Sequence, residues 1–532
     1  MKHKKYLRSD EKTLFGIKAN APVFLTSFSV IILLVLVTLI VGKPMEVWFA
    51  RVQAVVSNNT GWFFILLVNV LLLFVLYLGF SRFGKIRLGG KNAKPRFSRG
   101  AWFSMLFSAG MGIGLLFWSV AEPIFHFNSN PLMNGGGKLE AAKSAMGITF
   151  LHWGVHAWAI YAIVGLALAF FTFNRKLPLT IRSIFYPLFG RRIYGWIGDV
   201  IDIISVIATL FGLATSLGFG VQQVNAGLQY LFDFDYAVWV QLVLIAVITG
   251  FATLSLILGL DKGIRVLSEW NMRLALLILV FVLLIGPTLF IFKSFVQNLG
   301  HYINEFFELS FWTESYQGVS DHTHWQNKWT VFYWAWWISW SPFVGIFIAR
   351  ISKGRTIREF ILGVLFVPTI LTFLWISVFG GSAIYQELIG DTSITEAVNL
   401  NVSTAIFHLL EKFPFTFFSS LLTVVLVASF FVTSSDSGSM VVDTLTSGGR
   451  HDAPTGQKIF WATMEGTVAG ILLIGGGLTA LQTATILTGL PFAVILIVMC
   501  FSFYKSLNSY HKKHFIVRKA EKKPPEKASG DI

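Results

Sequence analysis

The chain has 532 residues, 55% of them hydrophobic and 13% charged, with a mean hydropathy of +0.67. A soluble fold of this size cannot hide that much apolar surface, so lipid must be part of its solvent. A single cysteine, Cys500 in an apolar run, excludes an internal disulfide and thiol-based metal clusters, and the net charge of +15 is read by where it lies.

Windows long enough to cross a bilayer fall near 22–42, 61–80, 100–120, 145–173, 193–220, 236–259, 271–293, 329–350, 360–381, 415–437, 459–478 and 482–503. The first apolar run follows a basic segment, and no small-residue cleavage site comes after it. It reads as an uncleaved span rather than a signal peptide. Of the 42 Lys and Arg, 35 fall in the N-terminus, the even-numbered loops and the tail, and seven in the odd-numbered loops. That asymmetry places both termini in the cytoplasm of a multi-pass plasma-membrane protein. It also assigns the basic surplus to topology and anionic lipid rather than nucleic acid. Two stretches, 262–273 and 298–312, are too short to span and read as surface amphipathic helices. The tail "RKAEKKPPEKASGDI" is expected to have no fold of its own.

In the third span, "FSAGMGIGLLFW", Gly110, Gly112 and Gly114 alternate at mid-membrane. Glycine costs about 1 kcal/mol against alanine in a helix, so this stretch invites unwinding. Unwound backbone is tolerated in a bilayer only beside protein or a wet cavity, where its free groups bind ions and polar ligands. Gly110 and Gly114 also spell GxxxG, and close helix packing is an equal reading. The fourth span carries "HWGVHAWAIY", where an ideal helix sets Tyr161 about 80° and Trp158 about 140° from Trp153. His152 and His156, four apart, lack an HExxH pattern or a nearby carboxylate, so a packing or hydrogen-bonding role is expected. The eighth span, "FYWAWWISWSPF", holds Trp336, Trp337 and Trp340 on neighbouring faces, and Pro342 predicts a kink or break. Facing aromatic arcs would box a cation that has no N–H to donate. Interfacial placement is the competing reading for each tryptophan, and it suits Trp48, Trp62 and Trp312. In the tenth span Thr433, Ser434, Ser435 and Ser437 sit beside Asp436; these hydroxyls suit an alkali cation or bond back to their own helix. Glu122, Asp199, Asp202 and Asp436 are intramembrane acids without an assigned role.

"HWGVHAWAIY", "WWISWSPFVGIFIARISKGRTIREF" and "TSSDSGS", in this order, resemble the betaine/choline/carnitine transporter (BCCT) family from about residue 15 to 505. The resemblance implies an all-α membrane protein of twelve helices. Its core would be a LeuT-like pair of inverted five-helix repeats (99–293 and 329–503), usually in a homotrimer. Around these lie a basic N-terminus (1–21), two peripheral helices with a basic loop (22–98), an outer segment (294–328) and a basic tail (504–532). It implies a cation box of Trp153, Trp158, Tyr161 and Trp337, with Trp336 and Trp340 lining the path. Gly112 and Gly114 carry the unwound backbone; an aspartate at position 114 marks choline carriers coupled to protons, so Gly114 points to glycine betaine with sodium as coupling ion. The sodium site maps to carbonyls of Ser108, Met111 and Phe430 and hydroxyls of Thr433 and Ser434. A second site would need Thr209, Phe343 and a threonine where this chain has Leu213, so it is incomplete. The resulting expectation is sodium symport of glycine betaine for osmoprotection, with no enzymatic activity and no cofactor. A choline or carnitine carrier, proton-coupled or a sodium-independent exchanger, is the alternative.

Overall fold

The computed structural model describes residues 11–14, 17–42, 44–110, 112–132, 137–257, 261–316, 324–450 and 454–517. Fourteen of its helices have twelve residues or more. They are α1 Ala21–Val41, α2 Pro44–Phe80, α3 Arg99–Gly110, α4 Ile113–Asn128, α5 Gly137–Trp153, α6 Val155–Phe173 and α7 Trp196–Phe232. Then come α8 Val238–Ile257, α9 Asp261–Ile285, α10 Thr288–Asn304, α11 Thr330–Ile351, α12 Ile357–Leu388, α13 Thr416–Thr446 and α14 Thr455–His511. Among the described residues the one sheet is a hairpin, Glu11–Leu14 with Ile17–Asn20, just before α1. The expected unstructured tail, 518–532, lies outside the described residues, as do residues 1–10.

Among the described residues, ten helical runs are long and apolar enough to cross a bilayer. The remaining expected spans appear in altered form. Span three is split into α3 and α4. Spans eleven and twelve form the single run α14, whose 57 residues would measure about 85 Å if straight, against a hydrocarbon core of about 30 Å. Gly476 and Gly477 have non-helical torsions, with φ of +56° at Gly477. The run folds back there. Trp461 packs on Phe24, one turn beyond Asn20, whose side chain donates to Asp199 at the start of α7. Ser502 donates to the Ile184 carbonyl, two residues from Arg182, which also pairs with Asp199. Both ends therefore meet one end of α7.

Burial separates centre from rim. The most apolar stretch of the α5–α6 run is 94% buried and that of α1 only 33%, with Leu33, Leu36, Leu39 and Ile40 facing outward as lipid-facing residues should. Hence α1 lies at the rim, α2, 56% buried over its most apolar stretch, is intermediate, and α6 and α11 form the centre. These two cross closely because both are glycine at the crossing: a Cβ on Gly345 would stand 2.5 Å from Cγ1 of Val164, and one on Gly165 would stand 3.3 Å from the Gly345 carbonyl oxygen. Gly345→Val should force the pair apart and cost about 1–3 kcal/mol, read as a lowered thermal unfolding midpoint of the purified protein. An unshifted midpoint contradicts this packing.

Two expectations are corrected, those for 262–273 and Pro342, and the amphipathic character expected of 298–312 is found. Residues 262–273 are not a separate surface helix but the first half of α9, and span seven ends at Ile285 because Gly286 and Pro287 interrupt it. The 298–312 stretch is the end of α10 plus a short helix Phe306–Phe311; α10 buries Ile291, Asn298 and Tyr302 and leaves its other face exposed. Finally, α11 runs unbroken through Pro342. The carbonyl that proline leaves unpaired is that of Ile338, and the Ser341 hydroxyl donates to it at 2.7 Å.

Candidate functional site

α3 stops at Gly110 and α4 begins at Ile113, with Gly112 fully extended (φ −165°, ψ −173°). The glycine run therefore unwinds rather than packing as a continuous GxxxG face. A second break, absent from the sequence reading, falls at Gly154: a Cβ there would lie 2.4 Å from the Phe150 carbonyl oxygen and 2.9 Å from the Tyr302 hydroxyl. It separates Trp153 on α5 from Trp158 and Tyr161 on α6, so the single-helix angles expected among them do not apply.

Despite that, the eight residues expected around a substrate converge. Gly112, Gly114, Trp153, Trp158, Tyr161, Trp336, Trp337 and Trp340 line one narrow cavity, together with Leu115, Ala157, Ser216 and Thr372. Trp337 is its centrepiece. It stacks on Trp336 (centroids 4.7 Å, 13° between planes) and meets Trp153 edge-on at 5.0 Å and Tyr161 at 6.2 Å. Trp158 meets Tyr161 at 5.5 Å. Nε1 of Trp337 donates to the His152 carbonyl (2.9 Å) and Nε1 of Trp336 to the Ser216 hydroxyl (3.3 Å). The Tyr161 hydroxyl and Nε1 of Trp340 are buried with no hydrogen-bond partner. The cavity thus offers π faces and two free donors, with no charged side chain in its lining. Trp48 and Trp62, by contrast, are exposed, whereas Trp312, expected to be interfacial with them, is half-buried against Trp325 (5.7 Å).

Beside the cavity lies a buried carboxylate. Glu122 on α4 meets Nδ1 of His152 (2.6 Å) and Nε2 of His126 (3.4 Å) through one oxygen. Its other oxygen accepts from Nε1 of Trp153 (2.8 Å) and the Tyr333 hydroxyl. The sequence reading that no carboxylate accompanies His152 is therefore overturned; the two are 30 residues apart in sequence, a separation no local pattern reveals. The hydrogen-bonding role expected of His152 and His156 is observed, His152 reaching Thr330 at 3.0 Å and His156 meeting Asn69 at 3.3 Å.

A second cavity is lined by Ser108, Phe430, Thr433, Ser434, Ser437 and Phe343, with Ser268, Asn271 and Trp340. Four of the five residues expected at the sodium site thus meet; Met111 lies outside the described residues. Ser435 and Asp436 turn away from it, since positions 433, 434 and 437 share a helix face and 435 and 436 do not; Asp436 accepts from the Ser255 hydroxyl at 3.2 Å. The Thr433 hydroxyl bonds back to the carbonyls of Ser429 and Phe430, as the back-bonding reading expects, while lining this cavity. Asn271, which sequence reasoning missed, donates to Thr433 Oγ1 at 3.2 Å. Trp340 belongs to both cavities and forms their common wall. Thr209 is not in the lining; its hydroxyl donates to the Ser205 carbonyl at 2.7 Å. Asp199 and Asp202 pair with Arg182, an ionic clamp at the start of α7.

Residues 22–512 match the model of the betaine/carnitine/choline family of transporters. The chain is 44% identical over 509 residues to a glycine betaine/proline/choline transporter of Vibrio parahaemolyticus, covering 93% of this chain and 91% of that one. It is 45% identical over 470 residues to the glycine betaine transporter OpuD of Bacillus subtilis, covering 88% and 90%. A glycine betaine transporter of Acinetobacter baylyi is 43% identical over 509 residues, covering 95% and 76%.

Proposed function

The chain belongs to the betaine/carnitine/choline family of transporters, and from that membership we propose that it carries glycine betaine into the cell by sodium symport with alternating access. The observation that carries the reading is the aromatic cavity. Trp153, Trp158, Tyr161 and Trp337 present π faces to a trimethylammonium group, each contact contributing about 0.5–2 kcal/mol. The unpartnered Tyr161 hydroxyl and Trp340 Nε1, with the extended backbone at Gly112, suit the carboxylate at the other end of the molecule. A zwitterion uses both halves of this lining; choline uses one.

In this reading the sodium ion sits in the second cavity, against Ser108, Phe430, Thr433 and Ser434, and draws α3 and α13 together. Trp340, shared by both cavities, passes that closure to the substrate. A neutral zwitterion gains nothing from membrane voltage, whereas a sodium ion gains about 2.3 kcal/mol per 100 mV, so the ion supplies the drive. The protein then works as an osmolyte importer in the plasma membrane with both termini cytoplasmic, and the homotrimer implied by the family resemblance is part of the proposal. The test is labelled betaine uptake into proteoliposomes. An inward sodium gradient should raise uptake at least tenfold over potassium, and Thr433→Ala should raise the sodium concentration at half-maximal rate. Uptake indifferent to sodium rejects the coupling. A second reading follows from the Vibrio relative, whose name covers proline and choline as well: counterflow with choline, carnitine and proline measures whether this chain shares that breadth.

A further inference from the structure

We propose that Glu122 is the positioning residue of the aromatic box, fixing its rings through hydrogen bonds and enriching the Trp153 face that meets the cation. The inference rests on the proposed reading of the cavity and deepens it. Glu122 does not line the cavity; it acts through the residues that do.

Its carboxylate joins three helices. From α4 it takes the Trp153 indole N–H (2.8 Å) and the His152 ring (2.6 Å), both on α5, and the Tyr333 hydroxyl on α11. The connection reaches the opposite wall as well. The His152 carbonyl holds Nε1 of Trp337 at 2.9 Å, and its ring stacks on Tyr333 at 4.6 Å and reaches Thr330 at 3.0 Å. Tyr333 in turn touches Trp153, Trp336 and Trp337 at 5.6, 6.1 and 5.7 Å. Glu122, His152 and Tyr333 are all fully buried, so water does not compete for these bonds.

Two consequences follow from the chemistry. A hydrogen bond to an ionised acceptor is stronger and shorter than a neutral one, so the rings are held in one orientation before substrate arrives. An indole that donates its N–H to a carboxylate also shifts electron density into its ring, and a cation over that face is attracted more strongly. Because Glu122 stands on α4, the far side of the break at Gly112, the box has this geometry only when α4 is in place.

The experiment is calorimetric titration of glycine betaine, in sodium chloride, into purified wild type, Glu122→Gln, Trp153→Phe and the double variant. Glu122→Gln should raise the Kd about tenfold with its unfolding midpoint nearly unchanged, and Trp153→Phe by a similar factor. Since the Trp153 bond is the link the two variants share, the double variant should bind more tightly than the product of the two single effects predicts. A Glu122→Gln Kd within twofold of wild type, or two effects that multiply, overturns the proposal. Should that variant not fold, Tyr333→Phe removes only the hydroxyl that meets the carboxylate: a severalfold rise in Kd supports the anchor, an unchanged Kd overturns it. Wild type that binds neither betaine nor tetramethylammonium rejects the site reading itself, a result distinct from wild type that binds and variants that bind equally well.

Discussion

Trp337→Ala is expected to weaken glycine betaine binding about a hundredfold, read by titration of the purified protein. The lost cation contact is worth up to about 2 kcal/mol, and the freed Trp153 and Trp336 rings lose their packing partner for about 1 kcal/mol more, so the sum of about 3 kcal/mol sets the factor. Those rings now lean on Trp337 at 5.0 and 4.7 Å. Trp337→Phe keeps a π face but not the N–H bond to the His152 carbonyl, and should recover about tenfold of the loss. Trp62→Ala, at an outward-facing ring, should leave binding unchanged. Unaltered affinity in Trp337→Ala would mean that the substrate binds elsewhere.

Gly114→Asp should abolish betaine uptake while sparing choline relative to it, shifting the choline-to-betaine ratio about a hundredfold or more. Two effects act together. A Cβ at position 114 would stand 2.6 Å from Cη2 of Trp336 and 3.4 Å from Cη2 of Trp153, so the rings must move for either substrate. The added carboxylate then faces betaine's own: at about 5 Å and an effective dielectric near 20, like charges repel by about 3 kcal/mol. Choline has no carboxylate and escapes this second term. Competition of each compound against labelled betaine, and uptake of labelled choline, measure the ratio. Equal losses for both substrates would leave only the steric effect and would place the betaine carboxylate away from Gly114.

The break in the third span was legible because three glycines in five residues leave little to hold a helix together. The break at Gly154 was not, since one glycine in an apolar helix signals nothing until Tyr302 and the Phe150 carbonyl are seen to crowd it. The break that Pro342 allowed does not occur: a serine hydroxyl one residue earlier satisfies the carbonyl that proline frees, and the helix continues. The tenth-span hydroxyls could be listed from sequence, but only helix phase separates Thr433, Ser434 and Ser437 from Ser435 and Asp436.

By itself the sequence determined most of the membrane-spanning segments, the two aromatic clusters and the run of glycines, because hydropathy, ring type and missing side chains are local properties; the family resemblance implied which rings form the cavity. Tertiary structure decided which partners those groups found. Glu122 reads from sequence as one carboxylate in an apolar helix, and in the fold it is tied to His152 and Trp153 from α5 and to Tyr333 from α11. A buried charge must be met by donors, and donors drawn from separate helices are brought together only by packing.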